Sequence, residues 1–416
     1  MRVVARGWVW SMLVTLVLLA ISHQLVDRHQ SRDVVIGAHG PFPAAFGARA
    51  PVAPEHVVRQ KMDGEALVHG LSIQSTGSDA TAASLRTGKE YWRYGRRDSD
   101  AVLDTLEVSE RTVMAGFDDG RLVGIDLRTG KPLWHVDVRH DKGFRTTALA
   151  GGQAVTGAPG AVQAFDERDG RSLWTAKTPK SCAEVLVFTV YALPEHLSVV
   201  PVICNVISLD RDEYNLLLGI DNRTGKVLWQ QHIAAPRLMV RGGEHTLVIP
   251  DPDNPPAIQL LDINRQGSTA RTLTSADAWD AVAAGGGTVL TATDPEDRSE
   301  DHDTLLRAYG TGDGHLAWQL RAPTGQEYGL PKIADGRVYV VRQPFIAEAD
   351  ARRRIRADLL VLDAGTGRLL HTLRLPTMTV PDADDYDVKL DVGDFADGAV
   401  AIRWRDDEGD LLIATD

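Results

Sequence analysis

Short apolar runs that alternate with tight polar turns fill most of the chain, and they predict antiparallel β-hairpins. In one hairpin the largely apolar run 121–125 precedes the turn Asp126–Gly130, and residues 131–136 form the returning strand. An Asp or Thr side chain in such a turn accepts a backbone N–H two residues on, and the glycine takes the positive φ that other residues resist. The turn therefore sets the register of the hairpin, and the pattern predicts an all-β fold.

This turn recurs along the chain at intervals of 40 to 55 residues, counted on its glycine. The seven copies lie at Gly88, Gly130, Gly170, Gly225, Gly267, Gly314 and Gly367. Four residues after the glycine, five copies carry a tryptophan and the other two carry Arg271 and His371: the indoles belong to Trp92, Trp134, Trp174, Trp229 and Trp318. Because the offset is constant, each indole leaves the same face of its sheet, where it can fill the gap to a neighbouring sheet.

A repeat of this length with strand-like flanks predicts a β-propeller, because one small sheet cannot bury both of its faces alone. After the seventh copy, residues 386–392, 398–404 and 411–415 predict three further strands, and Asp416 aligns with the aspartate of the turn. They indicate an eighth blade that lacks its last strand, so eight four-stranded antiparallel blades are preferred to the alternative of seven. The missing strand is expected from the other end of the chain, with Asp33–Gly37 as the candidate donor.

The stretches Ile125–Trp134 and Ile220–Trp229 resemble the tryptophan-docking repeat of the pyrroloquinoline-quinone (PQQ)-like β-propellers, and the resemblance covers roughly residues 57–416. That superfamily includes quinoprotein dehydrogenases and a non-enzymatic, BamB-like branch. The resemblance implies a propeller in which the repeat serves packing. In the enzymes, a disulfide between adjacent cysteines covers the quinone. Here Cys182 and Cys204 are 22 positions apart, which favours the non-enzymatic branch.

The N-terminal residues predict a membrane segment. Arg2 and Arg6 precede an apolar run over residues 7–26, which is long enough for one transmembrane helix and would place the propeller on the extracytoplasmic side. The alternative is a cleaved signal peptide, because Ala20 and Ser22 are small residues at the two positions that a peptidase inspects, and the propeller would then be secreted. Residues 27–56, rich in proline, alanine and glycine, are interpreted as a tether between residues 1–26 and the propeller.

Charge and cysteine content narrow the possible partners. The net charge of −12 and the pI near 5.5 argue against a nucleic-acid surface, which needs clustered basic residues. Cys182 and Cys204 are the two cysteines of an exported domain, on neighbouring predicted strands of blade four. They could form a disulfide or remain two buried thiols, since the register that sets their separation is not visible in the sequence.

No residue is assigned to catalysis, to a metal or to a cofactor. The acidic stretches 294–303 and 382–387 are dense enough to hold calcium, but they lack the spacing of a known calcium loop, so solvated loops are preferred. We therefore expect a membrane-tethered, non-catalytic binding or scaffold module that uses its loops to hold a protein or cell-envelope ligand. The alternatives are a quinone-dependent redox enzyme of the same fold and a sensory domain that signals through a membrane partner.

Overall fold

The computed structural model describes residues 32–47, 49–60, 66–97, 101–138, 147–180, 182, 185–187, 189–204, 214–233, 239–251, 257–274, 281–293, 304–346, 353–381, 388–404 and 411–416. The regular elements of these residues are β-strands, arranged as eight antiparallel sheets and one additional two-stranded pair. Each sheet is one blade of a propeller. Eight blades are present, as the repeat and the C-terminal strands predict, and the alternative of seven is wrong.

The first four blades take their strands in chain order, from the inside outward. Blade one contains β3 (Ala66–Val68), β4 (Leu71–Thr76), β5 (Asp79–Ser84) and β6 (Glu90–Arg97), with β1 (Arg32–Ile36) added outside β6. Blade two contains β7 (Leu103–Val108), β8 (Thr112–Phe117), β9 (Arg121–Asp126) and β10 (Pro132–Asp137). Blade three contains β11 (Thr147–Ala150), β12 (Gln153–Ala158), β13 (Ala161–Asp166) and β14 (Ser172–Lys177). Blade four has an interrupted first strand, β15 (Val185–Val187) and β16 (Tyr191–Leu193), followed by β17 (Leu197–Cys204), β18 (Tyr214–Asp221) and β19 (Val227–His232).

The other four blades follow the same plan. Blade five contains β20 (Val240–Arg241), β21 (Thr246–Asp251), β22 (Ala257–Asn264) and β23 (Gly267–Thr274). Blade six contains β24 (Ala281–Gly285), β25 (Thr288–Thr293), β26 (Leu305–Gly310) and β27 (Leu316–Arg321). Blade seven contains the interrupted strand β28 (Gln326–Tyr328) and β29 (Lys332–Ala334), then β30 (Arg337–Pro344), β32 (Asp358–Asp363) and β33 (Leu369–Arg374), and its loops form the pair β31 (Arg354–Ile355) and β34 (Met378–Thr379). Blade eight contains β35 (Leu390–Ala396), β36 (Ala399–Trp404), β37 (Leu411–Thr415) and β2 (His56–Gln60).

The propeller has two ends, a turn face and a loop face. The turn face carries the repeated turns, such as 126–131 and 363–368, and the connections between the first and second strands of each blade. The loop face is the opposite end, where the second strand joins the third and each blade joins the next. Innermost strands contact one another between blades one, two and three and between blades five, six, seven and eight. Strand β12 of blade three contacts β15 of blade four, β19 of blade four contacts β23 of blade five, and β35 of blade eight contacts β3 of blade one, which closes the ring.

Burial along the strands follows from their place in a blade. The second strand of blade two, β8, is buried at all six positions, because neighbouring blades cover both of its faces. The outermost strand β10 alternates between buried and exposed positions, and Trp134 is its buried residue. An outer strand therefore needs one large apolar side chain at a fixed position, which explains why the repeat retains the tryptophan.

Each repeat tryptophan docks on the turn of the following blade. The indole Nε1–H of Trp92 donates to the Leu127 carbonyl at 2.7 Å, and its ring lies against Gly130, where an added Cβ would come within 2.7 Å of the indole side chain. The contact recurs between Trp134 and Gly170, Trp174 and Gly225, and Trp318 and Gly367, while Trp229 donates to the carbonyl of Asn264 at 3.0 Å. The repeat thus links blade to blade.

The two copies without tryptophan use other side chains in the same place. Arg271 donates to the Thr311 and Gly312 carbonyls of blade six, at 2.9 and 2.7 Å, and pairs with Asp262 of its own blade. His371 donates from Nε2 to the Pro54 carbonyl at 3.0 Å. Both side chains are long enough to reach the carbonyl that an indole N–H otherwise satisfies.

The N-terminal part of the chain completes blade eight, but the predicted donor strand is wrong. Strand β2 pairs with β37, with His56 opposite Thr415, whereas Asp33 and its neighbours in β1 pair with β6 on the outer edge of blade one. The physical reason is connectivity: β2 enters blade one directly, as the outer strand of every other blade enters the next. Blade one therefore begins after β2, with its first strand at Ala66.

The described residues between β1 and β2, 38–47 and 49–55, form what we call the N-terminal strap, which lies on the turn face. Asp416 accepts the backbone N–H groups of Val52 and Ala53, and the buried Tyr339 hydroxyl donates to the Pro51 carbonyl at 2.6 Å. The strap also contacts Arg128 of blade two, Arg86 of blade one, Asp397 of blade eight and Asp335 of blade seven. The strap thus contacts Asp416 at the end of β37 and covers the turn face of four blades.

None of the described residues forms a helix with the length and hydropathy that a membrane span requires. The predicted transmembrane segment at residues 7–26 lies outside the described residues.

The docking of the indole on glycine predicts a specific cost of adding a methyl group. Gly130→Ala should lower the free energy of unfolding by about 2–4 kcal/mol, because it combines a positive φ with a collision against Trp92. Gly77→Ala is the matched control, since Gly77 has a similar φ of +63° but nothing within 4 Å of an added Cβ, and it should cost only about 1–2 kcal/mol. Chemical denaturation measures both, and equal losses would contradict the packing role of the indole.

The closure of the ring predicts unequal effects of two N-terminal truncations. A chain that begins at residue 38 loses β1 and should keep a single cooperative thermal transition. A chain that begins at residue 66 also loses the strap and β2, exposes the edge of β37, and should unfold at a lower temperature and self-associate in sedimentation experiments. Identical stability of the two truncated chains would show that β2 does not close the propeller.

Candidate binding surface

The loop face is the candidate binding surface, because the strap covers the turn face of blades seven, eight, one and two. Rigid scaffolds commonly present their recognition residues on the loops at one end. Three described features shape the loop face: a disulfide on blade four, an arginine-bearing strand pair on blade seven, and a polar cluster on the rim of blades one and two.

Cys182 and Cys204 are joined by a disulfide, and both are fully buried, with a Cα separation of 4.8 Å. Cys204 ends β17 and lies opposite Val185 of β15, so the bond ties the connection from blade three to the second strand of blade four. The cysteines predicted as a possible pair therefore hold the loop-face end of blade four. Sequence separation could not decide this, because the cross-strand register brings them together.

Blade seven presents arginines to solvent. Its connection forms the short strand β31 against β34, with Ile355 and Met378 buried in the core between blades seven and eight. Because Ile355 and Ala357 point inward, the alternating residues Arg354 and Arg356 are exposed, as is Arg353. The in-and-out alternation fixes the backbone of the segment, while the guanidinium groups of Arg354 and Arg356 face solvent.

A buried polar network supports this side of the loop face. The Gln343 side-chain amide donates to Glu327 Oε1 at 3.1 Å, and its oxygen accepts the Leu390 backbone N–H at 2.8 Å. Lys389 Nζ lies 3.8 Å from Glu327, with both side chains at least 95% buried. Buried networks whose members find partners rigidify a core, so the loops that join blades seven and eight stand on a fixed base.

The rim of blades one and two contains a polar cluster around Asp33 of β1. Its carboxylate accepts hydrogen bonds from the Tyr94 hydroxyl at 2.9 Å and from His135 Nε2 at 2.8 Å. Burial alone would raise the pKa of Asp33, but the hydrogen bonds from His135 and Tyr94 outweigh it, so the pKa of Asp33 is lowered. Partial burial would likewise raise the pKa of Asp119, but Arg96, which meets its carboxylate at 2.7 Å, and Arg121 together outweigh burial, so the pKa of Asp119 is lowered. The cluster attaches β1 to both blades.

The predicted site residues do not gather at one place. The five tryptophans lie in separate gaps between blades, and the disulfide lies on blade four alone. The acidic stretches 294–303 and 382–387 lie outside the described residues. Within the described ranges, no group of three or more His, Cys, Asp or Glu side chains has the geometry to hold a metal ion.

Two features of this surface were missed by reasoning from the sequence. The run 352–356 contains four arginines in an acidic chain and was a visible signal of an exposed basic segment. The cluster of Asp33, Tyr94 and His135 had no local signal, because Asp33 and His135 are separated by 102 positions. Only the pairing of β1 with β6 brings these residues together.

Comparisons with known proteins agree with the repeat and the blades described above. The family model described as "Outer membrane protein assembly factor BamB" matches residues 55–159 and 82–259. The outer membrane protein assembly factor BamB of Burkholderia pseudomallei (strain K96243) is 27% identical over 176 residues, which are 38% of this chain and 41% of that protein. The quinoprotein alcohol dehydrogenase PedH of Pseudomonas putida is 30% identical over 115 residues, which are 23% of this chain and 19% of that enzyme. The matched region spans less than half the length of these relatives.

A solved structure shares the architecture. The crystal structure of BamB from Moraxella catarrhalis superposes with a TM-score of 0.51 at 12% identity, over 88% of this chain and 99% of that chain, which is a likeness of fold alone. The family match to residues 55–259 contains four of the five docking tryptophans, each of which contacts the following blade as the repeat requires. The chain belongs to the PQQ-like repeat β-propellers and is BamB-like.

Proposed function

We propose that the chain is a membrane-tethered, extracytoplasmic propeller that binds a protein of the cell envelope through its loop face and catalyses no reaction. The observation that carries this proposal is the use of the repeat tryptophans. Each indole N–H donates to a carbonyl of the following blade. The tryptophan repeat that this chain shares with quinoproteins therefore serves the packing of blade against blade.

The similarity to BamB supports a protein partner. The relative from Burkholderia pseudomallei is described as an outer membrane protein assembly factor, and an assembly factor acts by binding other proteins. For this chain we propose the broader role of a binding or scaffold module. Residues 7–26 would supply the tether, and the basic residues before them would keep the N-terminus in the cytoplasm.

A quinone-dependent dehydrogenase is the second candidate, and the similarity to PedH favours it. Two features of this chain weigh against it. The matched segment is 19% of that enzyme, and Cys182 bonds to Cys204 across two strands rather than to an adjacent cysteine. Both branches of the superfamily share the repeat, so a match of this length does not by itself indicate the enzyme.

Site-specific photocrosslinking in intact cells tests the binding role. A photoreactive residue at the exposed Lys180, on the loop face between blades three and four, should yield a discrete crosslinked envelope protein. The same residue at the exposed Arg168, on the turn face of blade three, should yield none. Crosslinks of equal yield from both faces, or from Arg168 alone, would contradict the assignment of the loop face.

Titration of the purified chain with PQQ and calcium separates the two candidate functions. We expect no saturable change in the quinone absorbance and no dye-linked oxidation of alcohols. Saturable binding together with turnover would overturn the non-catalytic proposal and establish the quinone enzyme.

A further inference from the structure

The start of β1 fixes where the N-terminal part of the chain meets the propeller. Arg32 pairs with Arg97, the last residue of β6, and β6 ends at the loop face, where blade one leads into blade two. Ile36, at the other end of β1, pairs with Arg93. The chain therefore reaches the propeller at the loop-face end of blade one.

Side-chain contacts hold this entry point in place. Asp33 accepts hydrogen bonds from Tyr94 of its own blade and from His135 of blade two, both shorter than 3.0 Å. All five residues of β1 pair with β6. The position of residue 32 is thus fixed relative to two blades, in contrast to the free tether that the composition of residues 27–56 suggested.

Only residues 27–31 separate β1 from the proposed membrane segment at residues 7–26. Five residues reach at most about 17 Å when fully extended. Strand β6, with eight residues, is longer, at about 26 Å from the loop face to the turn face. A chain anchored by residues 7–26 therefore holds the loop-face end of blade one within about 17 Å of the membrane segment. The turn-face end is about 26 Å further along the strand and is not held in this way.

Two arginines of the loop face also have the chemistry that an anionic membrane surface attracts. Arg354 and Arg356 are exposed, and among the described residues neither takes part in an ion pair or a side-chain hydrogen bond. The nearby carboxylate of Asp358 is already paired with Arg342 and Arg374. Guanidinium groups match the geometry of phosphate, and basic side chains next to a membrane segment attract anionic lipids.

From the entry point and the arginines together, we propose that the loop face is turned toward the bilayer and that Arg354 and Arg356 contact the phosphate groups of anionic lipids. This orientation rests on the proposed membrane tether. It deepens the proposed function, because a partner held by the loop face must then lie in the membrane or at its surface.

Energy transfer to a lipid-bound acceptor tests the orientation with the full chain in phosphatidylcholine vesicles that contain phosphatidylglycerol. Because both native cysteines are in the disulfide, one introduced cysteine is the single reactive thiol. Dyes at Ser78→Cys and Thr324→Cys, on the loop face, should transfer more efficiently than dyes at Lys89→Cys and Arg368→Cys, on the turn face of blades one and seven. Equal or reversed efficiencies overturn the orientation.

A charge reversal tests the lipid contact. In the Thr324→Cys chain, Arg354→Glu with Arg356→Glu should reduce transfer in vesicles that contain phosphatidylglycerol and leave it unchanged in pure phosphatidylcholine. Arg111→Glu with Arg168→Glu, two exposed arginines of the turn face, is the matched control and should change neither value. The contact is overturned if the loop-face variant behaves like this control.

Alkaline extraction of native membranes separates this inference from the function on which it rests. Release of the chain would overturn the tether and the orientation together. A chain that stays in the membrane but shows more efficient transfer from its turn face would overturn the orientation alone.

Discussion

The propeller depends on one contact, repeated around the ring: an outer-strand side chain of one blade lies on the turn of the next and donates to a carbonyl there. The indole is well suited to this contact, because its flat face covers the glycine of the turn while the N–H at its edge donates to a carbonyl of the same turn. A hydrogen bond of this kind contributes about 1 kcal/mol net, and the aromatic area adds to it. Arg271 and His371 donate a hydrogen bond without an indole, so the hydrogen-bond donor matters as well as the buried aromatic area.

A similar contact closes the ring, where the strap and β2 meet the C-terminal blades. In blade eight the strap supplies the acceptor carbonyl through Pro54, and β2 supplies the outermost strand. Aspartates of blade eight also accept backbone N–H groups of blade one, such as that of Leu67 by Asp394, and burial raises the pKa of Asp394. The strap and β2 are thus part of the fold, and the strap covers the turn face of four blades but no part of the loop face.

Sequence patterns predicted the features that repeat and missed those that occur once. The constant offset of tryptophan from glycine predicted the blades, the turns and the indole between blades, because each copy reinforces the others. The donor of the last strand was wrong, because Asp33–Gly37 is the more apolar of two short segments that both contain a Val-Val pair, and only three-dimensional connectivity shows that His56–Gln60 is the donor. The cluster around Asp33 and the buried network of Glu327 and Lys389 depend on register between distant strands, which no local pattern reveals.

The most direct test of the central contact is a double-mutant cycle on Trp92 and Gly130, measured as free energies of unfolding. If the indole occupies the space above the glycine, Trp92→Leu removes the group that a new methyl would strike, and Gly130→Ala should then cost less than it does beside the indole. We expect the free energies of unfolding to show a coupling of more than about 1 kcal/mol between the two substitutions. Additivity within about 0.5 kcal/mol would contradict it, because residues that do not touch show no greater coupling.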